Sequence, residues 1–302
     1  MLFKDFLENS IGDLRRFFKD GFTFKVNVLE RASLTHISVK GAGDDKKIAI
    51  SRDMANFEIN DPIDYLMSLM IVGHEMAHCL CEHNKFNDSG KMDGMAIEGY
   101  ADYFGARITY SLLNFGEFNF NEFTKLYDGM PFSSRSNLNR WLARGKIFRV
   151  TGLALDRLNN RFYKSADGTG KYPHSETRVL TFIAGVMSFF YRYQGKISQN
   201  NFLNIFLKIF DGCGFFPSSS SGANEHIERI GEIHSIIQGD SERITSGISG
   251  KYANILSTKF DVSNESIKRR LEGFHKMFSS WDSEFSENII GYLQDELEKR
   301  NS

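Results

Sequence analysis

The opening stretch, MLFKDFLENSIGDLRRFFKDGF, repeats apolar residues three and four positions apart with charges of both signs between them, which predicts an amphipathic helix. The period then shortens to two. Phe22 to Val28, Leu34 to Lys40 and Lys46 to Ser51 alternate apolar and polar side chains, and the turn-forming run GAGDD separates the last two. This pattern predicts a small, largely antiparallel sheet over about 22–51. At Asn60-Asp61-Pro62 a capping side chain precedes a proline suited to a first helical turn, and apolar residues continue on nearly every face through Leu80. The expectation is a central buried helix over about 62–83.

The polar run EHNKFNDSGK interrupts the pattern before a second helix, expected over about 92–113. Glu98 and Asp102 lie one turn apart on it, and Gly94, Ala101 and Gly105 would let another element approach closely. Pro173 and Ser175 announce a further apolar helix, Gly214 to Asn224 (GFFPSSSSGAN) reads as a surface loop, and the remainder is mostly helical. No internal repeat or long low-complexity tract is present. The expected organisation is a catalytic-type α+β unit over 1–213 and a helical C-terminal region over 224–302 packed on it.

Composition adjusts this picture in a few places. Hydrophobic residues make up 41% of the 302 positions and aromatics 14%, ample for a buried core and contrary to general disorder. The 37 Lys and Arg nearly balance the 38 Asp and Glu, so no bulk charge favours nucleic acid as a partner. The N-terminus lacks the continuous apolar stretch of a signal peptide. The longest nearly apolar run, Val179 to Tyr191, falls short of the roughly 18–20 residues that span a bilayer and reads as a buried helix. Three cysteines, Cys79, Cys81 and Cys213, cannot all pair within the chain. They read as buried thiols in a reducing, cytoplasmic setting. The oligomeric state is not written in any of these features.

The chemistry gathers at His74-Glu75-Met76-Ala77-His78. Two imidazoles at i and i+4 share one helical face and can meet a single ion, with Glu75 beside them. Zinc held by three protein ligands keeps a fourth position for water, whose pKa falls from about 15.7 to near 7. A carboxylate is then needed to take the proton and return it to the leaving amine, the role expected of Glu75. Five residues of this pattern also arise by chance, so the reading depends on Glu98. Nineteen residues separate it from His78, enough for the chain to turn back and complete a His-His-Glu site with a carboxylate from a second helix. Asp102, one turn further, is expected to accept an N–H from a ligand histidine and fix its tautomer. The competing reading makes the histidines satisfied core residues and the carboxylates a solvated face; it leaves the agreement between the two segments unexplained.

These two segments resemble the gluzincin metallopeptidases, which pair HExxH on one helix with ExxxD on the next; the likeness covers about residues 70–110. It implies a zincin-like fold, Zn2+ as cofactor, Glu98 as third ligand, a hydrogen bond from His74 to Asp102, and a protein or peptide substrate. The gap is similar to that of thermolysin-like enzymes. HEMAHCLCEH, with His83 five residues past the second ligand, and EGYADYFGA look more like HtpX-type and prenyl-protein peptidases. Those enzymes usually carry membrane helices, so a soluble relative is implied, and the Lit-type phage-exclusion peptidases are a further cousin.

A peptidase also needs a donor for the developing oxyanion. His174 is the first candidate, because Tyr172-Pro173-His174-Ser175-Glu176-Thr177-Arg178 resembles the HPxxxxR segment of the HtpX-type enzymes, with Pro and His exchanged and the spacing one shorter. Tyr100, Tyr103 and Tyr172 are weaker candidates. His83 is expected to pack or hydrogen-bond at the end of the active helix, His226 and His234 to lie on the surface, and His36 and His275 have no partner pattern. The expectation is therefore a zinc metalloendopeptidase. Two alternatives stay open: a non-catalytic zinc-stabilised binding domain, and a toxin or defence protease with one host target.

Overall fold

Phe3, Phe6, Leu7, Ile11 and Leu14 fall on one face of α1 (Phe3–Arg15) and are all buried. The computed structural model describes residues 1–32, 34, 36–85, 94–127, 146–163, 173, 175–194, 199–213, 230 and 242–258. By its internal contacts the chain divides into Met1–Lys259 and Phe260–Ser302, and the second unit lies outside the described residues.

Strands β1 (Asn27–Glu30), β2 (Ile37–Lys40) and β3 (Lys47–Ile50) form a sheet in the order β1-β3-β2. The β2–β3 hairpin is antiparallel, with Val39 opposite Ile48, and its connection places Gly41 and Gly43 at positive φ. The β1–β3 ladder is parallel, with Val28 opposite Ile48, which corrects the expected antiparallel sheet to a mixed one. Alternation at period two is the same for either strand direction, so only the connection reveals it. β3 takes the centre because Ile48, Ala49 and Ile50 are buried on both faces. The short helix α2 (Arg52–Ala55) follows, capped by the Ser51 hydroxyl, which accepts from the Met54 N–H.

Helix α3 (Pro62–Cys81) starts where the sequence pattern places it. The Asp61 carboxylate accepts from the N–H groups of Ile63 and Asp64 at 2.8 and 2.7 Å, a cap that contributes roughly 0.5–2 kcal/mol. The helix ends at Cys81 because Glu82 turns into the left-handed region, φ 52°. Helix α4 (Gly94–Phe115) leads into α5 (Glu117–Leu126). The first turn of α5 is capped from a distance, the Asp13 carboxylate of α1 accepting from the N–H groups of Phe118 and Asn119. Next come α6 (Lys146–Leu158) with a π-helical extension (Asn159–Tyr163), α7 (Ser175–Gln194), α8 (Gln199–Cys213) and the short α9 (Gly250–Ala253).

The helices pack in the spatial sequence α7, α4, α3, α6, α8, so α3 and α4 lie inside, and β2 lies against α3. Burial of their apolar side chains supplies the main driving force, about 1.5–3 kcal/mol for each large one. Arg107 of α4 is buried too. Its guanidinium donates to the backbone carbonyls of Ile255 and Ser257 and lies 4.8 Å from the centre of the Phe104 ring. The Tyr100 hydroxyl donates to the Thr258 carbonyl at 3.1 Å, so α4 also anchors the end of residues 242–258. Among the described residues, no helix is long and apolar enough to cross a membrane.

Candidate metal centre

Helices α3 and α4 come together where neither has a side chain. A Cβ placed on Gly105 would stand 2.8 Å from the His74 Cα, and one on Gly73 would stand 2.5 Å from the Gly105 carbonyl oxygen. This crossing sets the backbone of α4 against the turn of α3 that carries His74. It brings Glu98 and Asp102, both almost fully buried, onto the two imidazoles.

His74 Nε2 lies 3.1 Å from His78 Nε2 and 3.1 Å from Glu98 Oε2, and His78 Nε2 lies 3.6 Å from the same carboxylate oxygen. A tetrahedral ion with bonds of about 2.0–2.1 Å to nitrogen and oxygen has ligand separations of about 3.3–3.4 Å, which the three measured edges bracket. His74, His78 and Glu98 are the group among the described residues whose side chains could hold a metal ion. The donor set also makes chemical sense. Three lone-pair donors converge on one point, an arrangement that needs a cation or a proton there.

The far side of each imidazole is occupied as well. His74 Nδ1 donates to Asp102 Oδ1 at 2.8 Å, which leaves the Nε2 lone pair for the centre. Arg178 of α7 donates to Asp102 through Nε at 2.7 Å and Nη2 at 2.9 Å, in a two-pronged grip buried with the carboxylate. His78 Nδ1 faces His83 Nδ1 at 2.7 Å.

Electrostatics follow from these contacts. Burial disfavours a charged His74, but the attraction and hydrogen bond of Asp102 and the contact with Glu98 outweigh it and raise its pKa to about 10. Burial would raise the Glu98 carboxyl, yet the attraction of His78 and the hydrogen bonds of both histidines hold it well below its ordinary value. Asp102 is similarly held low, with burial opposed first by Arg178 and then by His74. Glu75 is 7% exposed and makes no hydrogen bond or ion pair among the described residues.

The structure thus brings His74, Glu75, His78, Glu98 and Asp102 into one locality. His174, Tyr172, His226, His234, His275 and the loop from Gly214 to Asn224 lie outside the described residues. Tyr100 donates to a backbone carbonyl, and Tyr103 packs its ring near Tyr100 and Arg107. Cys79, Cys81 and Cys213 are buried, unbridged thiols, and burial pushes Cys213 up to about 12 and the other two higher still. Arg178 is the residue whose contact sequence reasoning did not assign; its only signal was its place at the end of the Tyr172–Arg178 segment. Comparison with protein-family models, with curated proteins and with solved structures finds no match to this chain.

Proposed function

We propose that the chain is a zinc-dependent metallopeptidase in which His74, His78 and Glu98 hold the ion and Glu75 is the general base. The observation that carries this reading is the triangle of ligand atoms with edges of 3.1, 3.1 and 3.6 Å, beside a buried glutamate that makes no hydrogen bond or ion pair among the described residues. Neither His83 nor Cys79 joins that triangle, which suits a centre with a coordination position open to water and substrate.

A divalent ion held there would supply Lewis acidity, acidifying water and polarising a substrate carbonyl. The chain's own residues would do the rest. Asp102, gripped by Arg178, keeps the proton of His74 on Nδ1, so its Nε2 lone pair stays directed at the centre. Glu75 takes one proton from the attacking water as its oxygen bonds to the acyl carbon. It then delivers that proton to the amide nitrogen as the C–N bond breaks. β2 is an edge of the sheet and lies against α3, which suits an extended peptide added as a further strand. Three unbridged thiols suit a reducing, cytoplasmic compartment.

The test compares wild type with Glu75→Gln, measuring zinc content and cleavage of a proteome-derived peptide mixture. About one zinc in each protein, with hydrolysis by wild type alone, is expected. Equal cleavage by both removes Glu75 from its role, and absence of zinc from both removes the centre.

A further inference from the structure

His83 stands at the start of a short 3-10 turn (His83–Lys85), is 1% exposed, and points Nδ1 at Nδ1 of His78 across 2.7 Å. Two nitrogens this close share one proton, which belongs to one ring and is accepted by the other. The proton's side is decided by the centre. His78 Nε2 is the atom that converges with His74 and Glu98, so its lone pair must be free for an ion and its proton must sit on Nδ1. His83 Nδ1 is then the acceptor, and the proton of a neutral His83 is on Nε2.

The backbone is built to make this contact. In a continuing α-helix, a residue five positions on is rotated by about 140° from the first and cannot face it. Glu82 breaks the helix with φ 52°, the only positive φ of a non-glycine residue among the described residues, and turns His83 back toward His78. Its carboxylate is held in place by Lys46 at 3.1 Å, by Arg243 at 3.3 Å and by Lys85. Lys46 directly precedes β3, Arg243 belongs to residues 242–258 and Lys85 ends the turn itself, so two other parts of the chain help to secure this one turn.

We propose that His83 is a positioning residue for the metal centre: by accepting the Nδ1 proton of His78 it holds that ligand in the tautomer and ring orientation that bind the ion. The two ligand imidazoles are thereby oriented by partners of different character. His74 has an anionic carboxylate backed by Arg178, and His78 has a second imidazole. The inference rests on the reading of His78 as a metal ligand.

The experiment measures zinc affinity by competition with a chromophoric chelator, and the ligand-field spectrum of the cobalt(II)-loaded protein, in wild type, His78→Ala, His83→Leu, His83→Asn and His83→Gln. Asparagine places its amide oxygen where Nδ1 of His83 stands, whereas glutamine places its own where Nε2 stands. His83→Leu and His83→Gln are expected to weaken zinc binding by about 10- to 100-fold and alter the cobalt spectrum, with His83→Asn near wild type. Thermal unfolding of the metal-free proteins reports any general loss of stability. Should His83→Leu fail to fold, the Asn and Gln pair still decides the matter. Wild-type affinity in His83→Gln, or a loss in His83→Asn as large as in His83→Gln, overturns the role of His83. Failure of wild type to bind zinc, or binding unchanged in His78→Ala, overturns the metal-ligand reading and this inference with it.

Discussion

Arg178 and Asp102 meet through two hydrogen bonds of 2.7 and 2.9 Å, and the same carboxylate accepts the Nδ1 proton of His74. Removal of the guanidinium strands a buried charge. Arg178→Ala is expected to cost about 3–5 kcal/mol in stability, read from chemical unfolding. Arg178→Lys keeps the charge but loses the fork, so it is expected to recover part of that stability. Both variants should bind zinc roughly 10- to 100-fold more weakly than wild type, as measured by chelator competition.

The glycine crossing makes a separate prediction. Gly105→Ala places a methyl group 2.8 Å from the His74 backbone, where no flexible side chain can move aside. Separation of α3 from α4 is expected to cost about 1–3 kcal/mol and to weaken metal binding in parallel. Wild-type affinity in a stably folded Gly105→Ala would show that the centre tolerates a wider spacing.

Metal uptake should release protons. In the metal-free protein His74 carries a second ring proton, on Nε2, at neutral pH, because its pKa is raised to about 10. An ion must displace that proton, so calorimetry in buffers of different ionisation enthalpy is expected to show release of about one proton at pH 7. Affinity should increase with pH up to about 10. The stability linkage has the opposite sign. A raised pKa contributes stability present in full below the ordinary histidine value of 6.5 and lost as pH rises through about 10, so the chelated protein should be weakened at alkaline pH.

Arg107 offers a contrast, since its guanidinium meets backbone carbonyls rather than any proposed ligand. Arg107→Leu removes the guanidinium hydrogen bonds to the carbonyls of Ile255 and Ser257. Each such loss costs about 1–3 kcal/mol, and the expected result is a lower unfolding temperature with zinc stoichiometry unchanged. Faster amide exchange over residues 242–258 would locate the damage.

The parts of this arrangement that could be read from sequence are the local ones. Asp61 and Pro62 announce the start of α3 because a cap and its helix are adjacent in the chain. The spacing of His74, His78, Glu98 and Asp102 is likewise visible, because helical geometry converts it directly into shared faces. The direction of β1 was hidden, since parallel and antiparallel strands alternate identically. The grip of Arg178 was hidden too, for nothing local in α7 says which carboxylate it meets. Glu82 gave no sign of its left-handed turn, a conformation normally left to glycine or asparagine and secured here by Lys46 and Arg243 from other parts of the chain and by Lys85 of the same turn.

Helix α4 joins partners at increasing distances along the chain. Asp102 is 28 residues from His74 and 76 from Arg178, while Arg107 is 148 from Ile255 and Tyr100 is 158 from Thr258. Loop closure grows costlier with length, so the proposed ligand cluster can assemble from a short loop well before its supports arrive. During synthesis the histidines and Glu98 emerge first, Arg178 follows, and the carbonyls that satisfy Arg107 come last. A nascent chain that has not yet reached Ile255 therefore holds every proposed ligand while the Arg107 guanidinium of its central helix still lacks the carbonyls that receive it in the finished fold.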